Sequence, residues 1–68
     1  MVGRDKPPLT EGDILIEFQQ VGSIIRVSAI DPRTNKEVVI QGPASAGRAA
    51  LTRNALAKLN YILRKAAE

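Results

Sequence analysis

The sequence predicts an α+β fold: a three-stranded antiparallel meander followed by one long C-terminal helix packed on one face of the sheet, β-β-β-α. Three observations lead there. Apolar and polar residues alternate over Asp13–Gln20 and again over Ser23–Ile30, the period of strands that bury one face. Turn-forming residues separate these segments, with Gly22 after the first and the run Asp31–Lys36 after the second. From Gly42 onward the apolar residues recur every three or four positions, as on an amphipathic helix.

The 68 residues suffice for one domain, and a chain this short buries a smaller fraction of its surface than a longer one. Residues 1–12 are expected to form a flexible N-terminal arm, and residues 13–68 the domain. The arm is polar, carries Arg4, Asp5 and Lys6, and contains Pro7-Pro8, which hold the backbone extended and donate no hydrogen bond.

In the first strand Ile14, Ile16 and Phe18 share the inner face, and Leu15, Glu17 and Gln19 the outer one. In the second, Ile25, Val27 and Ala29 face inward. With Val21-Gly22 as the hairpin loop, Phe18 faces Ile25, Ile16 faces Val27 and Ile14 faces Ala29, so inward residues meet inward residues and Glu17 meets Arg26 outside. The segment Asp31-Pro32-Arg33-Thr34-Asn35-Lys36 fits a type I turn followed by a left-handed Asn35. Pairing Asp31 with Lys36 then sets Ala29 opposite Val38 and Val27 opposite Ile40. The third strand is expected over Lys36–Gln41, and the second lies in the centre.

Gly42-Pro43 should end the sheet and begin the helix, with Ser45 as an alternative N-cap and a firm start as late as Gly47. Leu51, Ala55, Leu56, Leu59, Ile62, Leu63 and Ala66 form its apolar stripe. The opposite side carries Arg53, Asn54, Ala57, Lys58, Asn60, Tyr61, Arg64 and Lys65.

Composition narrows the chemistry. The chain has neither Cys nor His, so it lacks disulfides, thiolate zinc sites, a thiol nucleophile and the commonest general base. A non-enzyme that needs no cofactor and no metal is expected. No apolar run reaches the roughly 20 residues that span a bilayer, and MVGRDKPPLTEGD has no apolar signal core. A cytoplasmic protein without membrane contact is the expectation.

The net charge is +3, and its distribution matters more than its size. Residues 44–68 hold Arg48, Arg53, Lys58, Arg64 and Lys65 against Glu68 alone. Together with Tyr61, these cations form a candidate polyanion site: cations at helical spacing track phosphates, and an exposed aromatic ring stacks on an unpaired base. The plainer account is a solvated face whose C-terminal cations favour the helix dipole. RNA or an acidic protein would be the partner.

Leu15, Ile24, Ile30 and Val39 on the outer sheet face form a candidate protein interface, which with the edge strands would support a homodimer. The turn GPASAG, Gly42–Gly47, with Arg48 beside it, is a weaker anion candidate. Asp13, Glu17 and Glu37 are expected as solvated surface acids.

Three strands and then a helix, with Gly42, Ser45 and the Ala-rich run Ala46–Leu59, resemble the last two-thirds of a double-stranded-RNA-binding domain. That family uses a Lys-Lys pair and a further Lys in the first turns of its last helix. The corresponding stretch Ser45–Ala50 offers only Arg48, and the family's first helix and Gly-Pro-x-His loop are absent, so the likeness is architectural. Over Glu17–Leu63, the segments VSAIDP (Val27–Pro32) and GPASAG resemble a family of short uncharacterised bacterial proteins. That resemblance implies a stand-alone cytosolic protein and brings no functional residues with it.

Overall fold

The computed structural model describes residues 8–67. Strand β1 spans Leu15–Val21, β2 Ile24–Asp31 and β3 Lys36–Pro43, and the helix α1 spans Arg48–Ala67. The sheet is an antiparallel meander in the order β1-β2-β3, and α1 crosses one face of it. The expected β-β-β-α arrangement is therefore the observed one.

The second hairpin has the expected register. Asp31 pairs with Lys36, Ala29 with Val38 and Val27 with Ile40, and Asn35 takes the left-handed conformation at φ 60. The first hairpin is shifted by two residues from expectation. Phe18 stands opposite Val27 and Ile16 opposite Ala29, and the two loop residues are Gly22-Ser23. Glu17 consequently faces Ser28, and Arg26 faces Gln19. The reason is local: Gly22 has φ 60, and a two-residue loop that opens on a positive φ suits Gly-Ser. A β-branched Val21 would be strained in that loop but fits a strand. A shift of two preserves side-chain parity, so the inward set is unchanged.

β3 runs two residues further than expected, through Gly42-Pro43. The Ala44 N–H donates to the Ser23 carbonyl at 2.7 Å, so the ladder's alternation turns the Pro43 nitrogen toward the open edge, where no donor is needed. A 3-10 turn, Ala44–Ala46, follows, and α1 begins at Arg48, beside the late limit expected at Gly47. The Leu51 N–H donates to the Gly47 carbonyl, which makes Gly47 the N-cap in place of Ser45. Gly47 has φ 88 and ψ 149, a region open essentially to glycine.

The core consists of Leu9, Ile14, Ile25, Val27, Ala29, Val38, Leu51, Ala55 and Leu59. Ile16, Phe18, Ile40, Leu56, Ile62 and Leu63 pack around it, half-buried. Ala66, expected in the stripe, is exposed near the end of α1. α1 lies over β2 and β3, and its approach to β3 is close. A Cβ on Gly42 would sit 2.7 Å from Cδ2 of Leu51, so any side chain there would force the buried Leu51 to shift.

The sequence gives no periodic signal for Leu9, yet Leu9 is buried. Its N–H donates to Oδ1 of Asn60 at 2.8 Å, and Nδ2 of Asn60 donates to the Leu9 carbonyl at 3.0 Å. Asn60, expected on the solvated side, therefore clasps the entering chain. Thr10 and the 3-10 turn Glu11–Asp13 then lead into β1. The expected boundary after residue 12 is thus crossed by packing from Leu9 onward, while Met1–Pro7 of the expected arm lie outside the described residues.

Two consequences can be measured. Asn60→Ala should cost about 1–3 kcal/mol, because both backbone groups of Leu9 lose their partner; hydrogen exchange at the Leu9 amide should accelerate. Gly47→Ala should cost about 1–3 kcal/mol through backbone strain alone, since a Cβ there meets nothing within 4 Å. Urea unfolding should show a lower midpoint at unchanged slope.

Candidate nucleic-acid interface

The exposed side of α1 is built by the same period that builds the core. With Leu51, Ala55 and Leu59 turned to the sheet, a rotation of 100° per residue places Arg53 and Arg64 along one flank and Lys58 and Lys65 along the other. Tyr61 stands between the flanks and is 53% exposed. Arg53 and Arg64 are about 16 Å apart along the axis, and Lys58 and Lys65 about 10 Å. The Arg64 guanidinium lies 5.6 Å from the centre of the Tyr61 ring, within cation–π range. Between Arg48 and Ala67 there is no carboxylate, so no acid on α1 offsets these charges.

Arg48 stands apart from this group. It opens α1, and its guanidinium lies 5.0 Å from the centre of the Phe18 ring on the inner side of β1. Five of the six candidate residues thus share the outward side of the helix, and Arg48 packs at the sheet. The same packing draws Arg48 to an aromatic ring of the sheet beside GPASAG, whose residues end β3, form the 3-10 turn and cap α1.

The outer sheet face is divided. Cross-strand rows run Leu15–Ile30–Glu37, Glu17–Ser28–Val39, Gln19–Arg26–Gln41 and Val21–Ile24–Pro43. Leu15, Ile30 and Val39 therefore gather at one end, and Ile24 lies at the other. Between them is an open depression lined by Glu17, Phe18, Gln19, Arg26 and Ser28. Val21, at 66%, is more exposed than Leu15 at 56%. It belongs to this face, whereas the expected register assigns it to a turn; the loop preference of Gly22-Ser23 is the signal that places it.

Two carboxylates, Asp13 and Asp31, make structural contacts. Asp13 lies in the 3-10 turn before β1, where its Oδ2 accepts from the Thr10 N–H at 2.9 Å and from the Thr10 hydroxyl at 3.1 Å. These bonds hold its pKa below the ordinary carboxylate value. Glu37 faces Ile30 on the outer surface.

Asp31 is 1% exposed and organises the β2–β3 turn. Its Oδ1 accepts from the Arg33 N–H at 3.0 Å and lies 3.5 Å from Nε of Arg33, and its Oδ2 accepts from the Thr34 hydroxyl at 2.9 Å. Burial pushes the pKa up, but these donors outweigh it and the net shift is downward. Among the described residues no cluster of three or more Asp or Glu is placed to hold a metal, and no helix is long and apolar enough to cross a membrane.

Because the pKa of Asp31 is lower folded than unfolded, its ionised form stabilises the fold at neutral pH. That contribution disappears as pH falls from about 4 through the folded-state value. Asp31→Asn should cost about 1–2 kcal/mol at pH 7. Denaturant midpoints of mutant and parent should converge on acidification.

Comparison with curated proteins and with solved structures gives no match. A family model described as a domain of unknown function, DUF6898, matches residues 11–66. That span takes in all three strands and nearly all of α1, and the chain belongs to the DUF6898 family.

Proposed function

We propose that this chain is a non-catalytic, cytoplasmic binding module whose helix meets single-stranded RNA. The observation that carries this reading is the outward side of α1: Lys58, Arg64 and Lys65 lie within about a turn of the exposed Tyr61, Arg53 follows about 12 Å along the axis, and the helix contains no carboxylate. Folding explains the opposite stripe of α1, and the helix dipole favours Arg64 and Lys65 in the last turn, but neither calls for Arg53 and Lys58. Phosphates would lie along the Arg53–Arg64 and Lys58–Lys65 flanks, and a base would stack on Tyr61.

Against an enzyme stand the composition, without Cys or His, and the open form of the depression on the outer sheet face. The principal carboxylates, Asp13 and Asp31, are engaged by donors of their own turns.

The test is fluorescence anisotropy of a labelled single-stranded RNA titrated with the full chain. Three to four phosphate contacts at about 0.7 counterions each predict affinity falling roughly 20–50-fold from 50 to 200 mM salt. Tyr61→Ala should weaken binding by about 1–3 kcal/mol, and Arg53→Ala with Lys58→Ala should flatten the salt dependence. No RNA binding at low salt would overturn the reading, as would capture of an acidic protein that survives nuclease treatment and requires the same side chains.

A further inference from the structure

Among the described residues β1 lies at an edge of the sheet and pairs with β2 alone. Along an antiparallel ladder, residues alternately point their N–H and C=O toward the neighbour and away from it. The Ala44–Ser23 bond puts the odd positions of β2 toward β3, so its even positions face β1. Leu15, Glu17, Gln19 and Val21 therefore bond to β2, and Ile16, Phe18 and Gln20 direct their backbone groups into the open edge. The other edge is blunted: Lys36 opens β3, and Pro43 near its end has no N–H. β1, LIEFQQV, contains neither Lys nor Pro.

We propose that two copies of this chain pair through β1, antiparallel about Phe18, to form one six-stranded sheet. In this register Phe18 meets Phe18 of the second copy, Ile16 meets Gln20, Glu17 meets Gln19, and Leu15 meets Val21. The edge-facing set Ile16, Phe18 and Gln20 is symmetric about Phe18, so every open N–H finds a carbonyl. Leu15 and Val21, the two most exposed aliphatic side chains among the described residues, lie three positions to either side of Phe18 and cover each other.

The outer face is completed by the same pairing. The apolar row Pro43–Ile24–Val21 of one copy continues into Leu15–Ile30 of the other. Glu17 is the only charge in β1; it meets Gln19 instead of another Glu17, and beyond Gln19 in that row lies Arg26. On the inner face α1 covers β2 and β3, leaving Ile16 and Phe18 half-buried and able to meet their counterparts. Each chain carries a net charge of +3, and Arg48 sits over Phe18 close to the axis. Added salt screens this repulsion, so the dimer tightens under conditions that dissociate RNA.

Sedimentation equilibrium of the nuclease-treated full chain, from micromolar to millimolar concentration in low and high salt, is the test. The expected mass is twice 7.3 kDa, with dissociation that weakens as salt rises. The double variant Leu15→Lys, Val21→Lys sets Lys opposite Lys and should raise the dissociation constant on the order of 100-fold, whereas Gln41→Lys, on the exposed face of β3, should not.

Circular dichroism checks that each variant is folded. If the lysine variants unfold, a spin label at Val39→Cys in the otherwise cysteine-free chain still reads the arrangement. The two β3 strands should stand about 24 Å apart, five strand spacings. A single-chain mass up to millimolar concentration, a dimer that survives Leu15→Lys, Val21→Lys, or labels within about one strand spacing would each overturn the proposal.

Discussion

The structure depends on one close approach, that of α1 to the sheet above Gly42. The chain has only Phe18 and Tyr61 as aromatics, so its core must be made from aliphatic side chains at short range. Gly42 lets Leu51 settle against the end of β3, and Ala29 and Ala55 are fully buried where the layers meet. Small residues at these positions bring the two layers into contact, and larger aliphatics fill the space to either side. This is how a two-layer fold attains interior packing density with little material.

That approach also sets what remains uncovered. A single helix has a limited width, and here it spans β2 and β3. β1 is left with a half-buried inner face and an open edge. Leu9, held by Asn60, closes the core at the place where the chain enters the sheet. The fold thus enlists one residue from a polar lead-in and one side chain from the helix to finish a core that the sheet and helix do not close alone. The cost of ordering that segment is met by burial of Leu9 and by two hydrogen bonds to one amide.

Charge follows from the same division. A helix that turns Leu51, Ala55 and Leu59 to the sheet must turn Arg53, Tyr61 and Arg64 away from it and leaves Lys58 along its flank. Their shared exposure is a geometric result of the period, whereas their shared sign is not required by folding. Arg48 shows the difference: it belongs to the same helix and the same charge class, but packing assigns it to Phe18. The acids are arranged otherwise, with Asp13 and Asp31 taken up by the turns that flank the sheet. The two candidate surfaces are consequently distinct, one basic and helical, the other an apolar strand edge.

Much of this was legible in the residues because periodicity is a local property. The alternation in β1 and β2, the turn from Asp31 to Lys36 and the three-and-four spacing of Leu51 to Leu63 determined the element order, the inward faces and the second hairpin's register. Also legible was the basic helix face, since exposure of Arg53 to Lys65 follows from the same wheel. Tertiary structure decided the rest. A register shift of two keeps every inward residue inward, so the pattern could not distinguish the alternatives; the φ of Gly22 did. Pro43 reads as a stop but is accommodated because β3 is an edge. Leu9 stands alone in a polar segment, and Asn60 looks like any solvated amide, so their bond across 51 positions has no local trace. Periodicity determines which way a side chain faces, and only the assembled layers determine what it meets there.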